Sequence, residues 1–175
     1  DQDTALQKFR QVLDIDASFE QAKERCGKIY LAKGIAAHEA GNYQETVNLL
    51  SEAIKFQNSI DEAYFYRGWA YHEMKEIENA IIDYKKALEL NPNPPKYYAQ
   101  LAWAYYENKN LEDAKRITQE GLTKDATNVR LNEIAKILGI AIVSYLVFLL
   151  GVLKILPFSF PTILIILFVS LITNL

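Results

Sequence analysis

Between residues 27 and 128, large and small apolar residues return to the same places every 34 positions. Equivalent sites read Tyr30, Tyr64 and Tyr98; Gly34, Gly68 and Ala102; Ala37, Tyr71 and Tyr105; Thr46, Ala80 and Ala114; and Ala53, Ala87 and Gly121. In the middle copy Tyr64, Gly68 and Tyr71 share one stripe at helical spacing, and Ala80, Tyr84 and Ala87 share another. The pattern predicts two helices per copy, meeting where Gly68 and Ala80 let two backbones approach, with tyrosines filling the space around that contact. Gly41-Asn42, Lys75-Glu76 and Lys109-Asn110 mark the turn inside each copy, and Asn91-Pro92 stops the second helix of the middle one. The copies run 27–60, 61–94 and 95–128 without insertion.

Upstream, Ala5, Phe9 and Val12 look like the second helix of a preceding copy, so 1–26 reads as a partial repeat and the start of an elongated helix. From Ala5 to Thr46 is 41 positions, seven beyond the period and equal to two helical turns. The expectation is a helix from about Ser18 to Ala40 whose extra turns project past the stack. Further chain is expected before Asp1, because a repeat array needs its end faces covered. After the third copy Thr127 or Asn128 can cap a helix, and its opening stretch, 129–136, is amphipathic enough to cover the last repeat. That helix is expected to run on without a break into the apolar residues beyond it.

Charge sharpens the division. The chain carries 22 acidic and 19 basic residues for a net charge of −3, which offers no basic footprint for nucleic acid. Every acidic residue lies at or before Glu133, and after Lys136 the one charged side chain is Lys154. Residues 137–153 are uncharged and, with their apolar flanks, about long enough to span ~30 Å of hydrocarbon. Pro157 and Pro161 interrupt any helix, and 162–175 is a second apolar run. The segment 137–175 is therefore expected to enter lipid as one helix or, preferably, as a hairpin of two. Lys124, Arg130 and Lys136 on the near side against Lys154 on the far side place the repeats on the cytoplasmic side, or its stromal or matrix equivalent. A single cysteine, Cys26, and the lack of an Asn-x-Ser/Thr acceptor agree with a reducing compartment.

The alternation of large, small and large on the first helix, then Ala, aromatic, Ala and a closing Pro on the second, resembles the tetratricopeptide repeat family. Tyr64, Gly68, Tyr71, Ala80, Tyr84, Ala87 and Pro92 stand at the family's signature places. The outer copies depart at Thr46, Leu50, Asn58, Thr118 and Ala126. The resemblance implies an all-α, right-handed helical-repeat solenoid, here followed by a transmembrane helix or helical hairpin. It also implies that the first helices line a concave groove where peptides bind.

No catalytic constellation is present, and no cofactor or small-molecule substrate is expected. His38 and His72, each followed by Glu, are equivalent residues of successive copies; a step of ~10 Å between neighbouring helices is too far for two imidazoles to share a metal. Cys26 reads as a packed thiol. A second stripe on the first helices is the unusual feature: Leu31, Phe65 and Ala99; Ile35, Trp69 and Trp103; His38, His72 and Tyr106. By the resemblance it falls in the groove, so Leu31, Ile35, Phe65, Trp69, His72, Trp103 and Tyr106 are the candidate partner-binding residues. Family members that grip a C-terminal carboxylate use Lys, Asn and Arg in the groove, whereas Trp69 and Trp103 stand where Asn is expected. The expected partner is a protein, either a peptide segment or a neighbouring subunit, with an apolar or aromatic contact. The expected role is a membrane-anchored adaptor without catalysis. Its rival is a structural subunit or assembly factor of a large photosynthetic or respiratory membrane complex, for which Gly139, Ser144 and Gly151 supply small residues for helix packing.

Overall fold

The computed structural model describes residues 1–139, which fold into eight α-helices without a strand: α1 (Gln2–Ile15), α2 (Glu20–Glu39), α3 (Tyr43–Phe56), α4 (Asp61–Glu73), α5 (Ile77–Leu90), α6 (Pro95–Glu107), α7 (Leu111–Lys124) and α8 (Val129–Ile137). Each helix packs against its neighbours in the chain, and α2, α4, α6 and α8 also touch in succession. The array is an all-helical solenoid of paired helices, with the first helix of each pair forming one layer.

The turn inside each pair has the same hydrogen bonding. After α2 the Gly41 N–H donates to the His38 carbonyl and the Asn42 N–H to the Ala37 carbonyl, both at 2.9 Å. Lys75 and Glu76 repeat this after α4, and Lys109 and Asn110 after α6. This two-bond closure satisfies orphan carbonyls of the last turn and requires a left-handed residue at the first position past the cap. Gly41, Lys75 and Lys109 accordingly have φ of 77°, 64° and 62°. Only the first of them is glycine, so the other two turns hold lysine in a conformation that costs about 1 kcal/mol or more for a side chain with Cβ.

Inside the middle pair the crossing is tight. A Cβ on Gly68 would lie 3.0 Å from Tyr84 Cδ1 and 3.1 Å from Asp83 Cβ, so the helices meet where that atom is missing. Ala80, Tyr84 and Ala87 on α5 are fully buried. The same contact carries a charge pair that the apolar pattern does not show. Arg67 grips Asp83 through two bonds, Nε to Oδ2 at 2.7 Å and Nη2 to Oδ1 at 2.8 Å, and donates from Nη1 to Ser51 Oγ at 3.0 Å. The Tyr64 and Tyr71 rings flank the guanidinium at 5.6 and 6.0 Å. A two-pronged pair this enclosed fixes the geometry of α4 on α5 more than it adds to stability.

Two ends differ from expectation. At 20 residues α2 exceeds the 13 of α4 and α6 at its N-terminal side, but its extra turns do not project past the stack. Ala22 and Cys26 are fully buried, and Cys26 joins Leu6, Phe9 and Leu13 of α1 in one apolar cluster. Arg10 of α1 also donates to the Tyr30 hydroxyl at 3.2 Å. The preceding helix covers the extension. At the other end, Asn128 Oδ1 accepts from the Leu131 N–H at 3.1 Å and starts α8, whose Leu131, Ile134 and Ala135 are buried against the last pair. This helix then stops. The Leu138 N–H returns to the Ile134 carbonyl at 2.9 Å and Gly139 takes φ 71°, so α8 does not continue unbroken from Val129 into the apolar stretch. Among the described residues no helix is long and apolar enough to cross a membrane. The expected membrane segment, 137–175, lies outside the described residues apart from its first three positions.

Candidate functional site

Successive residues of an α-helix advance by 100°, so α4 presents three faces. Tyr64, Gly68 and Tyr71 turn toward α5. Phe65 and His72 point toward the following pair, while Glu62, Tyr66, Trp69 and Glu73 lie on the face left over. The same register on α6 gives Lys96, Gln100, Trp103 and Glu107, and on α2 it gives Lys28, Ala32, Ile35 and Glu39.

The seven candidate groove residues therefore divide. Phe65 is 1% exposed, stacked on Tyr97 of α6 with ring centres 4.5 Å apart, and His72 is 7% exposed, its Nε2 2.9 Å from Glu107 Oε2. Both are consumed by the joint between the second and third pairs and have no surface for a ligand. Leu31, at the equivalent of Phe65, is half-buried against the first apolar cluster. Ile35, Trp69 and Trp103 are also half-buried but stay on the outer face, and Tyr106, at the register of His72, is half-buried beside Trp103. The indoles are held: Trp69 Nε1 donates to Glu73 Oε1 at 3.2 Å and Trp103 Nε1 to Glu107 Oε1 at 3.0 Å. Trp103 also packs on Tyr106 at 5.3 Å, with the Arg130 guanidinium of α8 over its ring at 4.9 Å.

Around Trp69 the rings form a cluster. His38 lies 4.6 Å from Trp69, 5.5 Å from Tyr66 and 5.7 Å from Tyr43, and Tyr66 lies 6.3 Å from Trp69 with nearly parallel planes. His38 Nε2 is buried there without a hydrogen-bond partner among the described residues. Burial holds the His38 imidazole below its ordinary value, against the pull of Glu73 and Glu39. Burial first, then Glu62 and Glu39, pushes the Tyr66 phenol up. At Glu107 burial acts upward, but His72, Lys75 and Trp103 together keep the carboxyl below its usual range.

Two features escaped the residue pattern. Tyr66 belongs to the outer face as much as Trp69 does, and Glu39 and Glu73, met in the sequence only as neighbours of the two histidines, continue at Glu107 as a carboxylate row beside Ile35, Trp69 and Trp103. The period itself carried that signal. Among the described residues no group of three or more His, Cys, Asp or Glu side chains is placed to hold a metal.

Two family models, each described as tetratricopeptide repeat, match residues 61–94 and 83–116. The helical array is thus similar to tetratricopeptide repeats over its second pair and into its third. Solved structures share its fold. The tetratricopeptide domain of Arabidopsis OM64 is 22% identical, covers 66% of this chain and 96% of its own, and superposes with a TM-score of 0.64. The first such domain of Spaghetti (RPAP3), bound to the HSP90 peptide SRMEEVD, is 20% identical over 69% of this chain and 95% of its own, with a TM-score of 0.64. The second domain of human RPAP3, in complex with the HSP70 peptide SGPTIEEVD, is 18% identical over 69% and 98%, with a TM-score of 0.62. No curated protein matches the sequence significantly.

Proposed function

We propose that this chain is a protein-interaction scaffold that holds its partner on the outer face of α2, α4 and α6, through Ile35, Trp69, Trp103 and Tyr106, and performs no catalysis. The observation that carries the reading is the row of large apolar side chains left half open at one position per pair, with both indoles fixed by carboxylates. A pre-positioned aromatic loses little conformational freedom on binding, and Trp anchors dominate interface energetics. The peptide-bound Spaghetti and human RPAP3 domains support a peptide or subunit segment as the ligand. The uncharged stretch 137–153 supports an anchor in lipid, and the basic residues Lys124, Arg130 and Lys136 before it support repeats on the cytoplasmic side or its equivalent. In this reading the adaptor is tethered where its partner lies.

Affinity purification of the full chain from cells that express it, with wild type, Trp69→Ala and Trp103→Ala compared by mass spectrometry, tests the contact. A partner recovered with wild type should fall about 30-fold in affinity with either variant while both keep their helical circular dichroism. Retention of that partner by both folded variants contradicts the assignment. Alkaline carbonate tests the anchor: the full chain should stay with the membrane pellet, and its release would remove the anchor from the account.

A further inference from the structure

The outer face is unevenly charged, and the imbalance is sharpest at the joint between the first and second pairs. Glu39, Glu62 and Glu73 are exposed there, around the rings of Tyr66, Trp69 and His38. Among the described residues none of these three carboxylates is in an ion pair, whereas Glu107, at the equivalent site of the next pair, is paired with His72. Lys28 is paired with Glu24 and Arg130 lies over Trp103, while Lys96 lies over the Phe65, Tyr66 and Tyr97 rings and leaves Trp69 without a cation among the described residues. Three carboxylates beside half-open aromatic faces form the environment that a cationic side chain seeks, since ring quadrupole and carboxylate attract it together.

Resting on the scaffold reading above, we propose that this joint receives a lysine or arginine of the partner segment, so that the face binds a cationic, apolar peptide and rejects an acidic one. The cation sits against Trp69 between Glu39 and Glu73, and the apolar residues that follow cover Trp103. The preference is opposite in charge to the acidic peptides seated on the Spaghetti and human RPAP3 domains. Electrostatic complementarity of this kind sets partner choice and makes binding sensitive to salt.

The test uses two fluorescein-labelled octapeptides, alternating leucine with arginine or leucine with glutamate, titrated by anisotropy into the full chain in mild detergent. The arginine peptide should bind at least about tenfold tighter, and raising salt from about 50 to 500 mM should weaken it several-fold. Glu39→Gln with Glu73→Gln should weaken it about tenfold, because glutamine keeps the acceptor for the Trp69 indole while removing charge. Circular dichroism confirms that the double variant is folded. Equal or tighter binding of the glutamate peptide, or no response of the arginine peptide to the double variant, overturns the charge assignment. If the glutamate peptide is the one that binds and Trp69→Ala abolishes it, the face stands and only its charge preference falls. If neither peptide binds, or binding ignores Trp69→Ala, the assignment falls together with the face.

Discussion

Phe65 and Trp69 sit one helical turn apart on α4, belong to one apolar stripe and have similar bulk, yet the molecule uses them differently. Phe65 meets Tyr97 of the next pair and vanishes from the surface, while Trp69 meets His38 of the preceding pair by one flank and keeps another open. The difference lies in the neighbours. A residue of a repeat array is core or contact surface according to the angle at which the adjacent pair arrives, and a stripe read on one helix does not contain that angle.

Truncation should separate the two most strongly. Phe65→Ala empties a site enclosed by Tyr66, Tyr84 and Tyr97 and should cost about 3 to 5 kcal/mol in urea unfolding; Trp103→Ala should cost about 1. Comparable losses would merge the two rows into one. Within the α4–α5 contact, Asp83→Ala strands the Arg67 charge and should cost about 3 kcal/mol, whereas Arg67→Met combined with Asp83→Leu should recover most of that. No recovery would mean that the pair is required for more than its own compensation. Ala80→Leu overpacks the same contact and should destabilise by about 1 to 3 kcal/mol, against less than about 0.5 for Lys85→Ala on the exposed side of α5.

The smallest effect is a dependence on pH. His38 is held below its ordinary value of 6.5 by burial, so the unfolded chain binds the proton more readily than the folded one. Stability from this group is complete above 6.5 and declines as pH falls below it. Thermal melts between pH 7.5 and 5.5 should show the decline in wild type and a shallower one in His38→Phe; identical slopes would place the imidazole in solvent.

Much of the solenoid was legible in the sequence, because Tyr64, Gly68, Tyr71, Ala80, Tyr84 and Ala87 make their decisive contacts within one pair, at separations the helical period encodes. Burial of Phe65 and His72 was not, since their covers, Tyr97 and Glu107, belong to the next pair. The length of α2 showed in the seven-residue excess, but its cover by Leu6 and Phe9 depended on how α1 folds back. Gly139 was read as a small residue for helix packing, because apolar character runs on past it; its positive φ, where α8 ends, is a backbone choice that this character does not show.

The chain has two tryptophans, Trp69 and Trp103, and both lie in the proposed contact row, so emission excited selectively from tryptophan, at wavelengths where tyrosine does not absorb, reports on that row alone. Titrating the full chain with the arginine–leucine peptide while following tryptophan emission and its quenching by acrylamide is the most direct test of the contact surface. The account predicts a blue shift and reduced quenching that saturate with the binding curve measured by anisotropy. Saturable binding with emission and quenching unchanged would contradict it and place the contact on another face.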